Sequence, residues 1–124
     1  MSERPSVEEV RSWIGARLDE IGGAGVGKIE GVYLDERSGE PEWLLARMGR
    51  FGRHALVPTR DAVGGVGEVW VPYERETLRG APRIEPGEEL NLERETELCA
   101  YFEIDRAAQL AEREPSAVTA RPAT

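Results

Sequence analysis

The spacing of apolar positions along the chain changes character three times, and each change marks a boundary. Ser6-Val-Glu-Glu9 has the form of a capping box. It predicts a short helix with Val7, Val10 and Trp13 or Ile14 on one side, ending at Gly15. From residue 16 the period becomes extended. "ARLDEI", "KIEGVYLD", "EWLLARM", "ALVPT" and "EVWVPY" are apolar, β-branched or aromatic runs separated by glycine, proline and acidic turns. Five short strands fall within about sixty residues, with no helical period between them. That spacing predicts a small, mostly antiparallel sheet or barrel and excludes βαβ units. After "VPYERETLRGAP", Pro82, Pro86 and Gly87 predict a loop. Asn91 then caps a helix through "LERETELCAYFEI", with Leu92, Leu98, Tyr101 and Phe102 roughly on one face, and a further helix can follow Asp105. The chain divides into an N-terminal helix over residues 1–13, a β domain over 14–80, a loop with an acidic helical extension over 81–114, and a frayed, disordered tail over 115–124.

One stretch competes with this layout. In "IGGAGVGKIE", residues 21–30, Gly22, Gly27 and Lys28 meet the phosphate-loop spacing G-x-x-x-x-G-K. Such a loop works by wrapping backbone N–H groups round phosphates at a helix start, and a following hydroxyl binds magnesium. Here Ile29 stands in the hydroxyl position, and "EGVYLD" continues as strand chemistry. The glycines therefore predict a turn between two strands, with Lys28 opening the second strand and pointing outward.

Charge refines the picture. The net charge is −8 and the isoelectric point about 4.8. Residues 1–84 hold 14 acids and 12 bases, whereas residues 85–114 hold 10 acids and 3 bases. A near-neutral body thus carries an acidic extension, a balance that argues against general nucleic-acid affinity. The opposite bias appears in "RMGRFGRHALVPTR", residues 47–60, with four arginines and no acid. The longest apolar runs are four or five residues, so no membrane span is predicted. The absence of an apolar leader and the single cysteine, Cys99, favour the cytoplasm.

Candidate chemistry is sparse. His54 is the only histidine, and Ser6, Ser12, Ser38 and Ser116 lie at helix ends, in a turn or in the tail, so no acid–base–nucleophile set is predicted. Cys99 reads as a small buried hydrophobe. The carboxylates of 85–97 lack a calcium-loop pattern, and Asp35 in "DERSGE" reads as a turn residue beside a positive-φ Gly39. No cofactor or metal is predicted. Arg47, Arg50, Arg53 and Arg60 bracket a glycine loop, with Phe51 and His54 between them. They either bind an anionic partner or pair with the acidic helix of their own chain. Trp43 and Trp70, expected on adjacent strands, are either core or an exposed pairing surface.

The order Gly15, short strand, glycines, Gly27-Lys28-Ile29, "VYLD", Ser38-Gly39, Glu42-Trp43-Leu44-Leu45, "HALVPTRDA" and "EVWVPY" resembles the PRC-barrel family across residues 14–72. The segments "VPYERETLRGAP" and "LERETELCAYF" resemble an extension of its stand-alone actinobacterial members. The same small antiparallel β-barrel forms the cytoplasmic part of the photosynthetic reaction-centre H subunit and the C-terminal domain of a ribosome maturation factor. The chain lacks the membrane helix of the first and the companion domain of the second, so neither function transfers. The resemblance implies a non-enzymatic protein-interaction or assembly module, expected as a homodimer with an unnamed protein partner. The alternative is an RNA- or ribosome-associated factor acting through residues 47–60. Trp43, Arg47, Arg50, Phe51, Arg53, His54, Arg60 and Trp70 are the partner-binding candidates.

Overall fold

A computed structural model describes residues 4–123. The first helix, α1 (Val7–Ser12), starts where the capping residues predict, with the Glu9 N–H donating to Ser6 Oγ at 3.1 Å. Six strands come next: β1 (Arg17–Asp19), β2 (Gly25–Asp35), β3 (Pro41–Met48), β4 (Arg53–Pro58), β5 (Val63–Gly64) and β6 (Glu68–Trp70). Then come α2 (Arg75–Arg79), β7 (Leu90–Asn91), α3 (Leu92–Tyr101), α4 (Ala107–Leu110) and β8 (Val118–Pro122). The molecule is mostly β with short helices. All eight strands join one sheet, ordered β4-β3-β2-β1-β6-β5, with β8 against β2 and β7. Every pairing is antiparallel except β1 with β6. Among the described residues β4 and β5 end the ladder without pairing to each other, so the sheet is not closed.

β2 organises this sheet because it is long enough to serve three partners. β3 runs along one of its edges from Gly27↔Met48 to Leu34↔Pro41. Two strands divide the other edge: β1 pairs near its start at Arg17↔Lys28, and β8 near its end at Leu34↔Arg121. Residues 118–122, expected within a frayed tail, instead form β8, and Thr119 and Ala120 are buried. "PSAVTARPAT" has loop composition, but the free edge of β2 supplies backbone partners that local propensity does not register. A one-turn helix, α2, also appears in "ERETLRG", where Leu78 packs into the core.

The glycine stretch is a turn followed by a strand. Gly23 has φ +93° in the β1–β2 connection, and the Gly23 N–H donates to the Glu20 carbonyl at 2.9 Å. Gly27 serves close approach: a Cβ there would collide with the Arg47 carbonyl oxygen and lie 2.6 Å from Met48 Cγ. Lys28 is exposed and sits in register between Arg17 and Arg47, with its backbone committed to the sheet.

A buried ionic network fastens the C-terminal extension to the sheet. Asp35 closes β2, Glu42 lies on β3 and Glu95 on α3, and all three are buried. Arg106, just before α4, reaches all of them: Nη2 to Asp35 at 3.0 Å, Nε to Glu42 at 3.7 Å, and Nη1 to Glu95. Arg113 Nη1 adds a second contact to Asp35 at 3.0 Å, and Arg4 Nη2 reaches Glu42 at 2.7 Å. Trp43 Nε1 donates to Glu95 at 3.0 Å. Three carboxylates thus face three guanidiniums. Asp35 also accepts the Ser38 N–H at 2.9 Å, the turn role its sequence predicts. Burial alone would raise the Asp35 carboxyl, but the Ser38 N–H, Arg113 and Arg106 outweigh it and hold it well below the usual carboxylate range.

Removing one member of such a network strands the others without counter-charge, at a cost of about 3–5 kcal/mol. Arg106→Met is predicted to lose about that much in urea unfolding. Arg121→Ala, which cuts only exposed pairs with Glu36 and Glu89, should lose about 1 kcal/mol or less. A carboxyl held below its unfolded value of about 3.9 contributes stability that is fully present above that pH and is lost as pH falls toward the folded value. Unfolding free energy is therefore predicted to be steady down to about pH 5 and to fall steeply below about pH 4. Asp35→Asn should flatten that fall, and a variant curve as steep as the parent would refute the assignment to Asp35.

Candidate partner-binding site

The β3–β4 turn carries one of the most exposed apolar side chains of the sheet. Met48↔Arg53 is the last paired position, and Gly49 (φ +80°) and Gly52 (φ +67°) turn the chain between them. Phe51 at the tip is 93% exposed, and the Arg50 guanidinium carbon lies 5.9 Å from its ring centroid. Behind the tip is a cleft of about 290 Å³ lined by Met48, Arg50, Phe51, Arg53, Arg79 and Arg83. The chain brings the last two there by covering the β4 edge. Ala55 bridges Arg83, the Ile84 N–H donates to the His54 carbonyl at 3.2 Å, and Arg53 Nη2 donates to the Ala81 carbonyl. Among the described residues no carboxylate lines this cleft. Four guanidiniums round one concavity repel each other and favour an anionic occupant.

The structure gathers only part of the set predicted from sequence. Arg50, Phe51 and Arg53 meet at the cleft. Arg47 and His54 are directly opposite one another on β3 and β4, one residue out of phase with Met48 and Arg53. Strand alternation therefore turns them to the other face. There His54 Nε2 lies 2.8 Å from Glu30 Oε1, and Arg47 Nη1 lies 3.8 Å from Glu30 Oε2. Arg60 lies past the far end of the six-residue β4, about 20 Å away along the strand. It borders a different cleft with Arg4, Asp61 and Gln109.

Both tryptophans leave the partner surface. Trp43 is 1% exposed, held by Glu95 and packed 6.3 Å from the Phe102 ring. Trp70 is half-buried and donates to the Ile21 carbonyl at 2.9 Å. They are not on neighbouring strands, because β2 and β1 stand between β3 and β6. Nor do the loop arginines take their carboxylates from the acidic extension. Among the described residues the one carboxylate paired with Arg47, Arg50, Arg53 or Arg60 is Glu30 of β2. Arg79 and Arg83 are the members that local inspection misses. Their trace in the sequence is a recurrence every fourth residue at Arg75, Arg79 and Arg83, opposite in sign to the acidic run of residues 85–97.

The remaining groups carry little chemistry. Cys99 is buried on α3 beside a cleft shared with Ala107 and Leu110 of α4, and burial, reinforced by Glu95, pushes its thiol up to about 11. Among the described residues no three His, Cys, Asp or Glu side chains assemble a metal-binding group, and no helix is long and apolar enough to cross a membrane. No protein-family model matches the chain, and no curated protein matches it.

Phe51 and Arg50 make no buried contact that folding would lose. The double variant Arg50→Ala with Phe51→Ala is predicted to change the urea-unfolding free energy by no more than about 0.5 kcal/mol. A loss of several times that size would show that the tip serves the fold and not a partner.

Proposed function

We infer that this chain is a non-enzymatic protein-interaction or assembly module of the PRC-barrel type, working as a homodimer in the cytoplasm. On this reading the sheet is an opened form of the small barrel that residues 14–72 resemble, and the β3–β4 tip is its contact surface. The observation that supports it best is the arginine cleft, where Arg50, Arg53, Arg79 and Arg83 line a concavity that holds no carboxylate. The exposed Phe51 beside it is the kind of aromatic anchor on which protein contacts concentrate. The partner is then an acidic protein surface.

One observation favours a second reading. An exposed aromatic ring with an arginine beside it is also a stacking platform for a nucleic-acid base. The net charge of −8 weighs against that reading, because a nucleic acid meets an acidic molecule everywhere outside the cleft.

A photo-reactive residue at position 51, expressed in the native host, distinguishes the two. Protein adducts are expected at position 51 that disappear when Arg79 and Arg83 are changed to Glu and are absent with the same probe at the exposed Ile21. Adducts removed by ribonuclease would favour the RNA reading, and adducts indifferent to the arginines would discard the cleft as the contact surface.

A further inference from the structure

We propose that the occupant of the arginine cleft is the acidic face of α3 in a second copy of this chain, within a two-fold symmetric dimer. The proposal rests on the tip being a protein contact surface and supplies the partner of that surface. α3 runs beside the segment that carries Arg79 and Arg83, and both of its ends are tied there. The Tyr101 hydroxyl donates to the Thr77 carbonyl at 2.7 Å, and Arg94 Nη2 donates to the Arg83 carbonyl at 2.8 Å. Glu95, Leu98 and Cys99 turn into the protein, while Glu93 and Glu97 are exposed. Four residues apart, these two carboxylates share one face of the helix.

Among the described residues neither Glu93 nor Glu97 has a cation within 4 Å, and Arg50, Arg79 and Arg83 have no carboxylate within that distance. One region of the surface therefore carries unpaired guanidiniums beside unpaired carboxylates. Within one copy the two do not pair: α3 is pinned beside this segment by those two hydrogen bonds, and none of its residues lines the cleft. A two-fold axis solves this. It sets each cleft against the other copy's α3 and makes every ion pair twice, the self-complementarity that an isologous interface needs. The net charge of −8 opposes association only weakly at physiological salt, since charges separated by more than about 8 Å are largely screened while contact pairs are screened less. The same neighbouring carboxylates disfavour RNA, whose phosphates would lie against Glu93 and Glu97.

Sedimentation velocity and native mass spectrometry of the full chain test this. The expected result is a dimer at low salt that dissociates as salt rises. Arg79→Glu with Arg83→Glu should weaken the dimer by about tenfold or more, and Glu93→Arg with Glu97→Arg should do the same. An equimolar mixture of the two double variants should restore a dimer containing one of each, which also shows that both variants fold. A chain that stays monomeric, a dimer indifferent to both double variants, or a mixture that remains apart would overturn the proposal. A position-51 probe that captures a different protein on a monomeric chain overturns the second copy and leaves the interaction module standing. Capture of RNA alone removes both.

Discussion

The guanidinium of Arg106 sits where three carboxylates from three parts of the chain converge, and the rest of the structure depends on that meeting. Asp35 belongs to the end of β2, Glu42 to the start of β3 and Glu95 to α3. Each would be costly alone in a dry interior, and together they are tolerable only because Arg106, Arg113 and Arg4 balance them. The balance is not complete in hydrogen-bonding terms, since Glu95 Oε1, Arg106 Nε and Arg113 Nε have no hydrogen-bond partner among the described residues. A hydrophobic cluster of the same volume would hold the extension at least as well. The ionic version ties the docking angle of α3 and α4 to the sheet through partners on β2, β3 and α3.

That angle determines what is seen at the surface. With α3 fixed, Tyr101 and Arg94 tie the α2–β7 connection, and the connection covers the open edge of β4. Arg79 and Arg83 come to the hairpin tip as a result. The basic cleft is thus a consequence of how the acidic extension docks, although its own acids point elsewhere. An edge strand left bare invites pairing with other chains, and the covering segment here prevents that while presenting charge.

Local chemistry was legible wherever it decides its own structure. Ser6 and Asn91 cap helices as their sequence context predicts, Asp35 organises its turn, and the five apolar runs of residues 16–73 become β1, β2, β3, β4 and β6. The extended segment expected to open at Lys28 already starts at Gly25, because Gly25 and Gly27 pair with Asp19 and Leu18 of β1. What could not be read locally depends on partners distant in sequence. β8 is a strand because β2 has a free half-edge, and Trp43 is buried because Glu95, fifty-two positions on, receives its N–H. The arginine cleft was legible in part. Arg50, Phe51 and Arg53 are neighbours in the chain, whereas Arg79 and Arg83 reach them only through the bridge to Ala55. Arg47 and His54 look equivalent to them in a linear reading, but the two-residue repeat of a strand sends them to the opposite side.

The divided edge of β2 has a consequence for the order in which the molecule can be completed during synthesis. Its first half finds β1 within a dozen residues, and β3 comes directly after, so these ladders close over short loops. Its second half must wait for residues 118–122, more than eighty positions later. While the ribosome is still making the extension, the Val32 carbonyl and the Glu36 N–H, which later meet Ala123 and Thr119, face water on that side, and Asp35 has neither of its arginines. The nascent chain therefore carries an unsealed seam beside an uncompensated charge until its last strand emerges.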